Sequence, residues 1–282
     1  MRVLAIANHK GGVGKTTTAV NLAACLAAAG RQVLLIDCDP QGSASRWLGF
    51  TPDPPDAPDP HAPARPRPFL EDVFSGKADL AAATYPTAID RLALVPASAE
   101  LAVQDRLLVG KPAPAAVLAR ALRPARSLPF DDILLDSPPQ LGLLSCNVLA
   151  AADELLIPLS PDPLSVAVLD ELFQSVATIR EWLNPGLRIA GILLVRVRAH
   201  TLLARQVATD LAARYGDLIL PVQIRETVRA AEAPSRHLPL IATRPDASAA
   251  EDYRQLARLL LSDGRSPDCE RHSPAEELAH HL

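Results

Sequence analysis

Residues 8–17 have the sequence NHKGGVGKTT, a glycine-rich segment whose predicted loop is compatible with few folds. Three glycines within four positions allow the positive φ angles and the close backbone approach that a ring of inward-facing N–H groups requires. An apolar run at 3–7 precedes the loop and a helical pattern at 16–29 follows it, so the positive end of a helix would face the same point. The arrangement predicts a phosphate-binding loop between a buried strand and a helix.

The last residues of this loop suit a nucleoside triphosphate. Lys15 would reach the β- and γ-phosphates, and the Thr16 hydroxyl would be a ligand of Mg²⁺. The residues predicted to bind the nucleotide are Lys10, Gly11, Gly12, Val13, Gly14, Lys15, Thr16 and Thr17.

A second lysine distinguishes the loop from the usual pattern, which has glycine six residues before its lysine. Here that position is His9, and Lys10 stands beside it. A lysine at the mouth of a phosphate site is either a solvated surface residue or a second phosphate ligand. Only four lysines occur in the chain and two of them lie in this loop, which favours the ligand. We therefore predict catalytic roles for both Lys10 and Lys15.

Acidic residues end two further apolar runs, LLIDCDPQ with Asp37 and Asp39, and ILLDSPP with Asp136. One such residue can equally be a helix cap or a turn residue, but ligands of parallel α/β sheets bind where the strands end, so three together favour a site beside the loop. We predict that Asp136 holds Mg²⁺ through water, that Asp39 is the catalytic residue that orients the attacking water, and that Asp37 supports the metal. Thr16, Asp37 and Asp136 are thus the predicted metal residues.

Strand and helix patterns alternate along most of the chain, which predicts an α/β P-loop NTPase with a mostly parallel twisted sheet and helices on both faces. Residues 1–262 are expected to form a single domain, with a proline-rich surface insertion at 51–68 and a flexible tail at 263–282. Strands are predicted at 3–7, 31–36, 91–95, 132–136, 154–158, 189–195 and 218–222. Helices are predicted at 16–29, 114–125, 142–151, 164–183, 201–215 and 247–261.

Composition and hydropathy limit the partners, the cysteine chemistry and the cellular location that we expect for the chain. A net charge of -4 gives no sign of nucleic-acid binding by itself, although a net value can hide a local patch. The four cysteines lack metal-ligand spacing and are expected to be reduced thiols. We find no export segment and no apolar stretch of roughly 18 residues, so a cytoplasmic location is expected.

Together, the segments KGGVGKTT, IDCDPQ and LLDSPPQLGLL resemble the deviant-Walker ATPases of the ParA/Soj group, relatives of MinD. The likeness covers residues 1–50 and about 90–262, and VRAAEAPSRHLPLI at 228–241 is similar to the corresponding stretch of chromosomal and plasmid ParA proteins. The resemblance implies a slow ATP hydrolase that uses Mg²⁺ and forms a nucleotide-sandwich homodimer, in which Lys10 crosses to the phosphates of the other subunit. It also implies non-specific binding of double-stranded DNA, a ParB-type centromere-binding partner that stimulates hydrolysis, partition of chromosome or plasmid DNA, and a nucleoid-associated location in the cytoplasm.

Arginines are concentrated between residues 196 and 236, where seven of them accompany four acidic residues. Neutralising phosphates is sufficient for non-specific DNA binding. The alternative is a set of arginines spread over solvated helix faces. The predicted DNA-binding residues are Arg196, Arg198, Arg205, Arg225 and Arg229.

The chain departs from the family pattern in three places. Ser43 stands where Asn is frequent, His200 stands where a DNA-contacting Arg is common, and Arg225-Glu226 replaces the usual Pro-Arg. These departures bear mainly on the predicted DNA surface, where Arg196, Arg198 or Arg205 would substitute for the missing arginine.

Two other classes stay open. A MinD-like membrane-surface positioning ATPase needs a basic amphipathic C-terminal helix, whereas residues 274–282 (PAEELAHHL) contain two glutamates and neither lysine nor arginine. A reductase-type iron–sulfur ATPase needs a cluster between subunits, for which Cys38 and Cys146 lie near the motif loops. The sequence favours neither, and it does not specify the cargo, the partner, assembly beyond a dimer or the role of 51–68.

Overall fold

The computed structural model describes residues 1–50, 68–125, 128–162, 165–197, 202–227 and 233–262. For residues 125, 202–206 and 208 it describes the backbone alone. The predicted insertion, apart from Pro68, and the predicted tail at 263–282 lie outside the described residues. The division into one domain with an insertion and a tail therefore stays a prediction.

Strands at the centre of the molecule form one sheet. They are β1 (Arg2–Ile6), β2 (Val33–Asp37), β3 (Tyr85–Pro86), β4 (Leu92–Val95), β5 (Asp132–Asp136), β6 (Glu154–Leu159), β7 (Arg188–Val197) and β8 (Ile219–Arg225). Their order across the sheet is β3-β4-β2-β5-β1-β6-β7-β8. Neighbours pair in parallel except the edge strand β3, which is antiparallel to β4. The predicted mostly parallel sheet is confirmed.

Helices cover both faces of this sheet. They are α1 (Lys15–Ala28), α2 (Ser43–Trp47), α3 (Leu70–Ser75), α4 (Leu101–Leu108), α5 (Val117–Ala125), α6 (Leu143–Ala151), α7 (Ser165–Trp182), α8 (Leu202–Tyr215), α9 (Leu240–Thr243) and α10 (Ser248–Ser262). Short 3₁₀ turns lie at Pro114–Ala116, Gly216–Leu218 and Ala233–Arg236. Among the described helices, none combines the length and the apolar character needed to cross a membrane.

The two faces of the sheet bury separate cores because side chains alternate along each strand. In β1, Val3 and Ala5 pack under α3 to α8, whereas Leu4 and Ile6 pack under α1, α2, α9 and α10. A strand buried on both sides must be apolar throughout. This is why the central strands were visible in the sequence as continuous apolar runs.

The elements that the sequence did not predict are short. These are α2, α3, α4, α9 and β3, which span two to eight residues each. The helices among them hold little more than two turns at most, and β3 is a two-residue strand, so these segments give little periodic signal. The helix predicted at 114–125 begins instead as the 3₁₀ turn Pro114–Ala116 and continues as α5.

The carboxyl ends of β1, β2 and β5 lie level with one another. Asp136 is in register with both Ile6 and Asp37. The glycine-rich loop follows β1 directly, so it lies at the same edge of the sheet as the two strand-end aspartates. This register places the predicted site residues together.

The opposite ends of the strands are joined by ion pairs. Buried Asp132 accepts from Arg2 Nε at 2.9 Å and from Arg31 Nε at 2.8 Å. Glu154 continues the row, with Arg188 Nη2 at 3.0 Å and Arg2 Nη1 at 3.9 Å. Alternating charges therefore connect the amino-terminal ends of β5, β1, β6 and β7, away from the loop.

Candidate nucleotide-binding site

The glycine-rich loop has the backbone that its sequence predicts. Gly12 and Gly14 have φ angles of 73° and 88°, in the left-handed region that glycine enters without steric cost. Helix α1 begins at the next residue, Lys15, and its first turn contains no acidic side chain. The unpaired N–H groups of that turn face the loop, which makes it suitable for an anion.

Lys15 lies inside the loop. Its side chain is buried, and its Nζ donates to the Lys10 carbonyl oxygen at 2.9 Å. Burial lowers the pKa of the Lys15 ammonium, and the Asp136 and Asp39 carboxylates raise it in part. A phosphate bound in the loop would place negative charge next to Lys15 Nζ and stabilise the charged form of this side chain.

Lys10 points to a different place. Its Nζ lies 2.5 Å from Asp162 Oδ2, in the loop that follows β6. The backbone of Lys10 is fixed by Asn8, whose Oδ1 accepts from the Lys10 N–H at 3.0 Å and whose Nδ2 donates to Pro158 O at 2.7 Å. The loop therefore holds one lysine inward and the other outward against an acidic residue.

Asp37 and Asp136 face each other across β2 and β5, and their oxygens are used differently. Asp37 accepts from the Ser45 N–H and hydroxyl at 2.8 and 2.7 Å and from the Asp39 N–H at 3.2 Å. Burial raises the pKa of Asp37 to about 6. Its oxygens thus hold the turn that leads into α2, and its predicted support of the metal stays a prediction.

Asp136 is buried, and neither of its oxygens receives a hydrogen bond from the described residues. Burial raises its pKa well above the ordinary value, and the Asp37 carboxylate adds to this. The Thr16 hydroxyl approaches closely enough to lower the pKa in part, but it makes no hydrogen bond of normal geometry with Asp136. Two unpaired carboxylate oxygens beside a hydroxyl suit a hard divalent cation.

The described residues contain no cluster of three or more histidine, cysteine, aspartate or glutamate side chains that could hold a metal by itself. Mg²⁺ is usually held by one or two carboxylates, water and the phosphates of a substrate. Asp136 and Thr16 match this incomplete protein shell. The residues present therefore fit Mg²⁺ that arrives with a nucleotide.

Asp39 lies at the entrance of the site. Its Oδ1 accepts from the Gln41 N–H at 2.9 Å, and burial raises its pKa. The turn after Asp39 depends on Gly42, which has φ 58° and whose added Cβ would lie 2.8 Å from the Ala97 carbonyl oxygen. The close backbone contact fixes the position of the Asp39 turn.

An open cavity of about 1010 Å³ extends from the loop across the end of the sheet. Its phosphate side contains the loop glycines, Lys15, Thr16 and Asp39. Further lining residues come from α2, the end of β8, the 3₁₀ turn at Ala233–Arg236 and α10, and they include Trp47, Pro234, His237, Ala249 and Tyr253. The volume is at the upper end of the range for small-molecule sites and can contain a whole nucleotide.

Two of the predicted DNA-binding arginines, Arg196 and Arg225, line this cavity, and the side chain of each is about half exposed. Arg196 donates to the Gly12 carbonyl oxygen at 3.2 Å and lies 3.5 Å from Glu226. Arg225 is paired with Asp252 of α10 at 2.6 Å. Arg198 and Arg229 lie outside the described residues, and Arg205 belongs to α8 in a stretch described by backbone alone. The predicted DNA surface stays a prediction.

Several residues of the site were not identified from the sequence. Asp162 follows the end of β6, which is the same signal that marked Asp136, so it could have been found. His237 lies within the stretch 228–241 that resembles ParA proteins, but the sequence did not connect it with the nucleotide site. Asp252 carries no local motif, and only the folded chain brings these two residues close to the cavity. Asp252 forms an ion pair with Arg225, and Trp47 Nε1 donates to the Leu238 carbonyl oxygen. Both contacts join residues that are distant in the sequence.

Comparison with known proteins agrees with this geometry. A family model described as an AAA domain matches residues 1–189. The chain is 37% identical over 267 residues to the chromosome partitioning protein ParA of Caulobacter vibrioides, which covers 94% of this chain and 96% of that protein. It is 36% identical over 263 residues to the sporulation initiation inhibitor protein Soj of Bacillus subtilis, with 93% and 99% covered.

Solved structures have the same fold. The structure of cobyrinic acid a,c-diamide synthase from Mycobacterium smegmatis, with a bound ATP analogue and magnesium, superimposes with a TM-score of 0.77 at 31% identity, over 94% of this chain and 98% of that one. The phosphate loop, the strand-end aspartates and the sequence similarity to partition proteins over more than nine-tenths of the chain lead to one assignment. The chain belongs to the ParA/Soj family of partition ATPases.

Proposed function

We propose that the protein is a Mg²⁺-dependent ATP hydrolase that dimerises when it binds ATP, binds DNA without sequence preference and partitions chromosome or plasmid DNA with a ParB-type partner. The observation that carries the proposal is the direction of Lys10. A lysine of the phosphate loop that points away from its own cavity, held by a partly exposed ion pair with Asp162, can be redirected to a second subunit.

Nucleotide binding within one subunit rests on the loop and on Lys15. The N–H groups of residues 11–17 and the start of α1 hold the phosphates, and inward Lys15 neutralises their charge. Bound Mg²⁺ supplies charge compensation on the transferring phosphoryl group. Thr16 and Asp136 would hold it, since Asp136 has oxygens without hydrogen-bond partners.

Hydrolysis requires a positioned water. Asp39 uses Oδ1 to accept from Gln41 and can use its second oxygen to orient that water. Asp37 acts through Asp39, because it fixes the backbone N–H of that residue. Positioning and charge compensation supply most of phosphoryl-transfer catalysis, so hydrolysis stays slow until the second subunit and the partner complete the site.

The dimer follows from electrostatics. Two triphosphate-loaded cavities repel each other unless a cation from each subunit crosses to the other, and Lys10 is that cation. The pair of subunits would then join their arginine-containing segments at 196–236 into one DNA-binding surface. Relatives named as chromosome partitioning proteins support this reading.

The test compares sedimentation and DNA binding with ATP, with ADP and without nucleotide, in the presence of Mg²⁺. Wild type is expected to dimerise and bind DNA only with ATP. Lys10→Ala should bind ATP but stay monomeric, and Asp39→Ala should remain a dimer because it does not hydrolyse the nucleotide. Lys77→Ala, which removes an exposed lysine elsewhere, is the control. Wild type that stays monomeric with saturating, unhydrolysed ATP overturns the proposal.

A further inference from the structure

Part of the cavity wall lies away from the phosphate loop and is assembled from distant segments. Arg46 and Trp47 come from α2, His237 follows the 3₁₀ turn at Ala233–Arg236, and Tyr253 comes from α10. A nucleotide whose phosphates occupy the loop must extend its base toward the rest of the cavity. The wall formed by these residues is where a base would be recognised.

His237 is held in an unusual backbone conformation. Its φ of 54° is in the left-handed region, which is sterically unfavourable for a non-glycine residue. Two hydrogen bonds keep it there, since the His237 N–H donates to Pro234 O at 3.1 Å and Trp47 Nε1 donates to Leu238 O at 2.9 Å. Such strain persists only where the surrounding structure fixes it, and it is common at ligand sites.

A hydrogen bond also determines the tautomer of the His237 ring. Its Nδ1 lies 2.8 Å from the Arg46 carbonyl oxygen. A carbonyl oxygen only accepts, so Nδ1 must carry the hydrogen. In the neutral imidazole the other nitrogen, Nε2, then has a lone pair and is a hydrogen-bond acceptor.

Other polar groups on this wall already have protein partners. Trp47 Nε1 donates to Leu238, and the Tyr253 hydroxyl pairs with Thr18 Oγ1 at 3.3 Å. The Arg46 guanidinium bonds to the Gln41 carbonyl oxygen and can only donate. Nε2 of His237 has no hydrogen-bond partner among the described residues, so it is an acceptor that this wall offers to a ligand.

We propose that His237 makes the site selective for adenine over guanine, by accepting a hydrogen bond at Nε2 from the 6-amino group of the base. The inference deepens the proposed ATPase function and rests on it. Adenine has an amino donor where guanine has the O6 acceptor. Guanine would therefore place its O6 acceptor against the Nε2 acceptor of His237, whereas the 6-amino group of adenine would donate to Nε2.

The test is a competition experiment on the full chain with Mg²⁺ and non-hydrolysable analogues of ATP and GTP. The informative variant is His237→Gly, because glycine adopts the left-handed conformation without strain and removes the imidazole together with its Cβ. Arg236→Ala, an exposed neighbour that does not line the cavity, is the matched control. Thermal unfolding of each variant reports on the fold.

Wild type and Arg236→Ala are expected to prefer the ATP analogue, and His237→Gly to reduce the ratio of the two affinities about tenfold, mostly through weaker ATP binding. A purely structural role would weaken both nucleotides equally and leave the ratio unchanged, which overturns the inference. Equal affinity of wild type for both analogues also overturns it. ATP-dependent dimerisation is measured separately at saturating ATP. Its loss in wild type would contradict the proposed function, whereas its presence together with equal affinity for the two analogues would contradict the role of His237 alone.

Discussion

The Nζ of Lys10 lies 2.5 Å from Asp162 Oδ2, so the outward lysine of the phosphate loop is paired with a carboxylate of its own chain. Both side chains are about one-third exposed, which limits the strength of the pair. Under the proposed mechanism, Lys10 must leave Asp162 before it reaches the phosphates of a second subunit. The ion pair is then a cost of dimerisation.

Replacing Asp162 by asparagine is therefore expected to favour the dimer. Asp162→Asn removes a charge pair worth at most about 1 kcal/mol, so half-maximal dimerisation should need roughly two- to fivefold less ATP. Sedimentation over an ATP titration measures the shift. The control is Asp90→Asn, which changes the same charge at a side chain that is 95% exposed. A higher ATP requirement would mean that Asp162 guides Lys10 instead of restraining it.

His9 should make the stability of the protein depend on pH. Both ring nitrogens of His9 are buried without a hydrogen-bond partner, and burial lowers its pKa below 6.5, against the opposing effect of Glu171. The folded state binds this proton less readily than the unfolded state. The stability contribution is therefore present above pH 6.5 and is lost as the pH falls through the lower folded value.

Glutamine does not titrate, so the His9→Gln variant should show a smaller change in the free energy of unfolding with pH than wild type. Urea unfolding at pH 7.5 and pH 5.5 measures the difference for wild type and for the variant. We expect wild type to lose about 1 kcal/mol more than the variant between the two pH values. An equal loss in both proteins would assign the pH dependence to other groups.

Asp132 should contribute strongly to stability from the end of the sheet opposite the loop. Asp132→Asn would leave Arg2 and Arg31 without their shared buried partner, and it should lower the free energy of unfolding by about 1–3 kcal/mol. Asp131→Asn is the matched control, because Asp131 is 45% exposed and lies 4.0 Å from Arg31. Urea unfolding should show a change of no more than about 0.5 kcal/mol for the control.

Gly42 should not tolerate a side chain. In Gly42→Ala, strain at φ 58° is combined with a Cβ contact of 2.8 Å to the Ala97 carbonyl oxygen, so the Asp39 turn must shift. We expect a loss of about 2 kcal/mol in stability and at least tenfold slower ATP hydrolysis. Gly76→Ala has a similar φ of 81° and no atom within 4 Å of the added Cβ, so it separates backbone strain from the clash. Equal effects of the two substitutions would exclude the clash as the cause.

The predicted DNA surface can be tested by charge reversal. Arg198→Glu combined with Arg229→Glu should weaken DNA binding in the presence of ATP and reduce its salt dependence, without changing ATP-dependent dimerisation. DNA binding over a salt titration measures both quantities. Arg225→Ala should instead affect stability, because Arg225 is paired with Asp252. Full DNA affinity in the double variant would exclude the predicted surface.

The long strands and the loop could be predicted because their signals are local. A strand buried on both faces has to be apolar along its length, as Ile133 to Leu135 are, and the loop has to contain glycine where φ is positive. Short helices gave no such signal. The position of α2 depends on Asp37, which accepts hydrogen bonds from Ser45 across the intervening turn. A contact of this kind leaves no periodic pattern in the sequence.

The sequence by itself determined the chemistry of the phosphate loop and the parallel sheet that carries it. Both depend on residues that are neighbours in the chain, so composition and spacing are sufficient. Only the tertiary structure decided that Lys10 is paired with Asp162, 152 residues away, and that the His237 ring is oriented by Arg46, 191 residues away. Contacts between such distant residues depend on how strands and helices pack, and no local pattern encodes that packing.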